Sequence, residues 1–209
     1  AGTDLAVGGN LSITATTGNI TQGAAVAVTG TSSFTTSASD ADITLSNTGN
    51  AFASAVTLST TGSTAHATID NGTTTLDIAA SSVGGNLTLI SGHASGITDS
   101  GNVTVGGNLV ATTNANDGVI NMGTLRVDGS VALTTNGNGA ATVVNDNGLT
   151  FAASTVRGAL TATATLGNIT QDAAVAVTGT SSFTTSASDG TITLSNTGNA
   201  FASAVTLST

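Results

Sequence analysis

Apart from hydroxyls and amides, the groups in this chain that could carry chemistry are eleven Asp, two His and two Arg, because Cys, Lys, Glu and Tyr are absent. Asp40, Asp42, Asp70, Asp99, Asp117, Asp146, Asp172 and Asp189 stand in contexts such as SDAD, DNG, NDG and NDN. Calcium asks for about six to eight oxygens from a loop, and neither an EF-hand spacing nor a GGxGxD nonapeptide occurs. Asp in such contexts commonly bonds its own backbone in a turn, and that is the expectation for these residues. His66 and His93 lie in different loop segments with no Cys and no second His at metal spacing, so exposed or loop-packing histidines are expected. The VGGN motif has a Gly pair but no following Lys or helix, which leaves a turn or strand-entry role in place of a phosphate cradle. The residues thus point to no catalytic, cofactor-binding or metal site.

Asn is the other recurrent polar type. Asn10, Asn86 and Asn108 follow the same Val-Gly-Gly and could stack as an amide ladder. Asn10, Asn19, Asn71, Asn86, Asn102 and Asn168 begin glycan-acceptor sequons, which composition alone also generates in a chain rich in Asn and Thr.

These residues recur because the chain repeats. Residues 7–60 return at 156–209 with an offset of 149, and between Gly18 and Thr60 only Gly23, Ala41 and Asp42 differ from their partners Asp172, Gly190 and Thr191. Within that period a finer unit recurs after Val7, Val28, Phe52, Val83, Val105, Val127, Val156, Val177 and Phe201, at intervals of 21, 24, 31, 22, 22 and 29 before the cycle restarts. The long third and sixth units share an ending, TLDIAASSV and LTFAASTV, that the others lack. The expectation is one continuous segment of a longer array, with 7–155 a full repeat of six coils and 156–209 the start of the next.

Strands must position everything in such a unit. Thr and Val favour the pleated backbone, Gly and Asn allow tight turns, and LSIT, AVAV, DITL, LTLI, NVTV and VALT alternate apolar and small polar residues. A unit of about 22 residues is too short for an independent β domain but suits one coil of a parallel β-helix, an all-β solenoid with coils stacked about 4.8 Å apart. An apolar column is then read six residues after each anchor: Ile13, Phe34, Leu58, Leu89, Ala111, Leu133, Ala162, Phe183 and Leu207. Two residues earlier, Ser32 and Ser181 are small where Phe34 and Phe183 are large, so volume is compensated within a coil. A second strand is marked by Ile20, Ile43, Ile69, Ile97, Ile120, Val144, Ile169 and Ile192.

VGGNLTLI, SITATTGNITQ and VAVTGTSSFTTSA resemble the repeats of bacterial filamentous haemagglutinin and related two-partner-secreted exoproteins, over essentially the whole chain. The resemblance implies a right-handed parallel β-helix, export across the outer membrane to the cell surface or medium, and service as a long stalk in adhesion or biofilm matrix. Its partners would be neighbouring repeats, other copies end to end, and a host-cell or matrix carbohydrate or protein receptor.

Charge and composition agree with an extracellular structural role. With a net charge of −9 and only Arg126 and Arg157 as cations, no basic stripe exists for nucleic acid or an anionic membrane surface. No apolar run of about 18 residues exists for a membrane-spanning helix. Two alternatives remain. A β-helix enzyme acting on carbohydrate needs an acidic cluster on one face, and near-perfect repetition argues against a single active site. An ice-binding solenoid needs aligned Thr-x-Thr ranks, which Thr14 and Thr16, Thr161, Thr163 and Thr165, and Thr191 and Thr193 could supply, although the units at 83 and 127 break them. Further expectations are about eight stacked coils, a buried Leu89 between Leu58 and Ala111, an Asp128–Arg157 contact between consecutive coils, and end-to-end association through unpaired coil edges.

Overall fold

Inward-pointing apolar residues at every second position build the wall of this molecule. The computed structural model describes residues 2–209, in which the regular elements are twenty-six short strands with no helix among the described residues. Every strand pairing is parallel. The strands stack as a β-solenoid of about ten turns of about 21 residues. They form sheets of three, twelve and eleven strands. At roughly 4.8 Å per level, ten levels span about 43 Å.

The alternation read from the sequence sets the burial. Leu87–Ser91 puts Leu87, Leu89 and Ser91 inside while Thr88 and Ile90 stay half-buried on the outer surface. Within a triplet of units the columns run as expected: Ile13 pairs with Phe34 and Phe34 with Leu58, while Leu89 pairs with Ala111 and Ala111 with Leu133. Phe rings fill the centre edge to face, Phe34 with Phe52 at 5.6 Å and Phe183 with Phe201 at 5.7 Å between centroids. At the corners, stacked main chains approach so closely that a Cβ at Gly106 would run into the carbonyl oxygen of Gly84, which accounts for the Gly pair of VGGN.

Between triplets the columns break, and the unit count of nine gives way to ten levels. The shared ending of the long units is an additional wall strand: Leu76–Ile78 in one, Leu149–Phe151 in the other. Leu76, Ile78, Leu149 and Phe151 are fully buried, so these strands cannot loop out and must occupy a place in the wall. Leu76–Ile78 and Ser81–Val83 both sit over Val56–Thr61, through Ile78 on Val56 and Ser82 on Ser59. Leu149–Phe151 and Ser154–Val156 repeat this over Ser130–Asn136, through Phe151 on Val131 and Thr155 on Thr134. The next first strand is pushed forward by one face. Leu87–Ser91 therefore lies on Ala67–Asp70, and Leu160–Ala164 lies on Ala141–Asn145.

This frame shift corrects four expectations. The solenoid has ten levels where about eight were expected. Leu89 is fully buried, but its lower neighbour is Ile69, not Leu58. In the second-strand column, Ile43 pairs with Ala67 and Ile120 with Ala141, while Ile69 pairs with Leu45 and Val144 faces outward beside Thr163. Arg157 does not stack on Asp128: its N–H donates to Thr135 Oγ1, whereas Asp128 bonds Asn147 Nδ2 at 3.1 Å and lies 4.0 Å from Arg126 in its own turn. The additional strand in the last long unit has carried Arg157 round to a different corner.

The shift leaves one gap, which a side chain closes. Asn71 is fully buried above Phe52, takes the Phe52 N–H on Oδ1 at 2.7 Å and donates Nδ2 to Phe52 O at 3.0 Å. Asn145 does the same for Val127, at 2.7 and 3.0 Å. Each carboxamide stands in for the main chain of a missing strand residue, satisfying groups that would be costly to bury unpaired.

Candidate functional site

The polar residues picked out by the sequence are spent on holding one turn to the next. Asp40, Asp117 and Asp189 take the left-handed conformation, with φ near +60°, at equivalent corners. Asp40 Oδ1 accepts the Thr64 N–H and Asp117 Oδ1 the Asn138 N–H, both on the following turn. Asp99 receives Gly123 N–H on one oxygen and Thr124 N–H and hydroxyl on the other. Asp70 alone follows the expected pattern of a local turn, accepting Gly72 N–H at 2.9 Å. The expectation of turn Asp thus holds in place but falls short in partner: most of these carboxylates reach across to the neighbouring turn. Main-chain bonding from Thr64, then the Thr64 and Ser39 hydroxyls, holds the Asp40 carboxyl below its ordinary value.

The expected Asn ladder exists in a different form. Asn108 N–H donates to Asn86 Oδ1, and Ser130 N–H to Asn108 Oδ1, each at 2.8 Å, so side-chain oxygens grip main-chain amides instead of each other. The column extends below through residues of other types: Asp42 N–H to Asn19 Oδ1, His66 N–H to Asp42 Oδ1, and Asn86 N–H to His66 Nδ1 at 2.8 Å. Asn10 belongs to another corner, where it accepts Thr31 N–H. The frame shift joins the second-strand corner of one triplet to the first-strand corner of the next, which unit alignment alone conceals. His93 Nδ1 lies 3.0 Å from Ser95 N–H and 2.9 Å from Thr75 Oγ1.

The described residues contain no group of three or more His, Cys, Asp or Glu side chains that could hold a metal ion. Two shallow grooves each contain one of the two cations. One, of about 320 Å³, is lined by Thr104, Thr124, Arg126, Asp146 and Thr165 among others; the second, of about 380 Å³, by Thr134, Asn136, Thr155 and Arg157. Asp146, in the lining of the first groove, accepts the Thr165 hydroxyl at 2.9 Å.

The outer surface of the walls carries hydroxyls in register. Ser12, Ser33 and Thr57 form one rank beside Thr14, Thr35 and Ser59. In the upper turns Thr142, Thr161, Ser182 and Thr206 form another.

Residues 2–59, 64–122 and 138–208 match the family described as repeats of unknown function, DUF5649. The chain belongs to this repeat family. The matched segments leave out 60–63 and 123–137, the latter holding the anchor Val127 and the start of its unit. Comparison with curated proteins and with solved structures gives no match.

Proposed function

We propose that this DUF5649 chain is a stalk or fibre segment of a large secreted bacterial surface exoprotein, serving adhesion, biofilm matrix or filament formation. One observation carries this reading: the polar side chains of successive turns are consumed in turn-to-turn hydrogen bonds to main-chain amides, as at Asp40, Asp99, Asn86 and Asn108. Such an assembly supplies length and stiffness, and repetition extends it without limit. The resemblance of VGGNLTLI and VAVTGTSSFTTSA to filamentous-haemagglutinin repeats supports the placement outside the cell and two-partner export. The segment's partners would be neighbouring repeats of the same chain or other copies end to end. A receptor would be carbohydrate or protein on a host cell or in a matrix.

The test is deletion of one 149-residue period from the parent gene. About seven turns are lost, so the fibre shortens by roughly 33 Å, while receptor binding by the remaining protein is retained. Abolished binding with unchanged fibre length would refute the stalk reading. The hydroxyl rank of Thr142, Thr161, Ser182 and Thr206 favours a second reading, adsorption to an ordered surface such as ice, which a thermal-hysteresis measurement decides.

A further inference from the structure

Four asparagines of this chain, Asn71, Asn136, Asn138 and Asn147, stand directly before a glycine, where the next main-chain nitrogen meets least hindrance on its way to the side-chain carbonyl carbon. The fold treats the four differently. Asn71 is fully buried: Oδ1 accepts the Phe52 N–H, Nδ2 donates to Phe52 O and Thr75 O, and the Gly72 N–H is held by Asp70 Oδ1. Asn138 is exposed, but its Nδ2 donates to Asp117 Oδ1, and the next nitrogen belongs to the buried Gly139 and donates to Asn136 O at 2.9 Å. Asn147 is half-buried and its Nδ2 donates to Asp128 Oδ1 on the turn below at 3.1 Å. Asn136 is exposed, its Nδ2 makes only a 3.5 Å contact with Asn114 O, and the Gly137 N–H donates to the Oδ1 of Asn136 itself at 2.9 Å. A nitrogen and the carbonyl it can attack therefore already lie side by side. Only glycine fits after Asn136, because Gly137 has a φ of +60° and a Cβ there would run into the side-chain oxygens of Asn116 and Asp117.

We propose that Asn136 is a self-modification site, at which the folded chain converts its own amide to an acid. The Gly137 nitrogen gives its proton to water and bonds to Asn136 Cγ. The Cγ–Nδ2 bond breaks, and the amide nitrogen leaves as ammonia from a cyclic succinimide. Water then opens the ring. Cleavage between the ring nitrogen and Cγ leaves aspartate, whereas cleavage between the nitrogen and the main-chain carbonyl carbon leaves isoaspartate, with the chain now running through Cγ. Water is consumed, ammonia is released, and nothing is oxidised or reduced. In the isoaspartate form the former main-chain carbonyl of residue 136 is a free carboxylate. In the unmodified chain that carbonyl accepts the Asp117 N–H from the turn below at 3.1 Å and the Gly139 N–H at 2.9 Å, so its displacement loosens this corner. The equivalent corner of the first triplet has the same layout without the amide: the Asp40 N–H donates to Thr61 O, and Gly62 again has a positive φ. Threonine in place of Asn136 is therefore compatible with the turn.

The experiment is ageing of the intact chain in mildly alkaline buffer, followed by peptide mapping that separates asparagine, aspartate and isoaspartate at each of the four sites. In the folded chain Asn136 is expected to convert at least about ten-fold faster than Asn71, Asn138 or Asn147, because its reacting atoms are prepositioned. In concentrated urea the four rates should draw together. Asn136→Thr, which copies Thr61, is expected to abolish conversion at this corner and leave the other three sites unchanged. Amide protection at Asp117 should fall relative to Asn108 as the parent ages, and not in the variant. Asn138 or Asn147 converting as fast as Asn136 in the folded chain, a lead of Asn136 that persists undiminished in urea, or unchanged Asp117 protection in the converted chain would each overturn the proposal.

Discussion

Replacing Asn145 by Asp leaves the side-chain shape nearly unchanged but removes two donors, at the place where the second frame shift leaves the Val127 main chain without a strand above it. The Asn145 side chain is fully buried and makes three bonds: Val127 N–H to Oδ1 at 2.7 Å, and Nδ2 to Val127 O at 3.0 Å and to Gly148 O at 2.6 Å. A carboxylate keeps the first and loses the other two. The buried Val127 carbonyl left unpaired costs about 1–3 kcal/mol, and the half-buried Gly148 carbonyl adds less, before the charge is considered. Burying an ionised carboxylate with a single donor adds to this, until protonation becomes the cheaper course. Asn147→Ala is the control, since Asn147 makes one exposed side-chain contact, to Asp128, and its effect is expected within about 0.5 kcal/mol. Because solenoids open locally, the measurement is urea unfolding combined with exchange at Val127 and Asp146, whose N–H groups are held at this junction. The cost of Asn145→Asp should shrink as the pH falls, because a protonated acid regains one donor. A urea midpoint equal to the parent at pH 7, or a cost that grows on acidification, would show that the carboxamide is not the surrogate strand described.

Leu89→Asp places a carboxylate between Ile69 and Ala111 in the fully buried column and is expected to cost several kcal/mol, read as a large fall in melting temperature; melting within a degree or two of the parent would refute the column. Ser32 and Ser181 have buried hydroxyls without a hydrogen-bond partner beside Phe34 and Phe183, so Ser32→Ala is expected to be neutral or stabilising by up to about 1 kcal/mol, and a loss of that size in denaturant titration would mean the hydroxyl is satisfied. The Asp40 carboxyl is held below its ordinary value of 3.8 by Thr64, so its contribution is present above that value and is lost as the pH falls below it. Asp40→Asn keeps both the left-handed backbone and an acceptor. Thr64 amide protection should therefore drop as the pH is taken below 3.8 in the parent and not in the variant.

Strand content, unit boundaries and facing were legible because inward residues alternate with polar ones in every unit, and the pairings Ile13–Phe34–Leu58 and Leu89–Ala111–Leu133 follow from aligning the anchors. The frame shift was not read from that alignment, which treats anchor to anchor as one turn. Its signal was nonetheless present: Leu76 and Ile78, like Leu149 and Phe151, alternate as a wall strand does, and intervals of 31 and 29 are about one-third longer than 22. The turn-to-turn bonds of Asp40, Asp99 and His66 depend on which corner lies above which, and sequence spacing within one coil carries no information about that. The surrogate role of Asn71 was hidden for a related reason: within its DNG context Asn71 looks like a turn residue, and only the void above Phe52 gives its amide a second use.

The frame shift also bears on the choice between the two proposed readings. A surface that adsorbs to a flat lattice needs its hydroxyl ranks to continue along one face. Here the rank of Ser12, Ser33 and Thr57 ends after three turns, and the rank of Thr14, Thr35 and Ser59 runs on through Ser82 and Thr104 until Arg126 ends it. The outward series that leads to Thr142 begins with Asp77, Thr98 and Asn121. Each long unit moves the pattern on by one face of the coil, so copies of the same motif are distributed around the axis. A one-sided binder loses contact area by this rotation. A stalk loses nothing, because its turn-to-turn bonds are satisfied in every orientation, and the rotation spreads lateral load over all faces. A series of arrays with one, two and three copies of the 149-residue period separates the two. Thermal hysteresis rising with copy number would refute the stalk, whereas contour length rising by about 33 Å per copy, with no such activity, is the expected result.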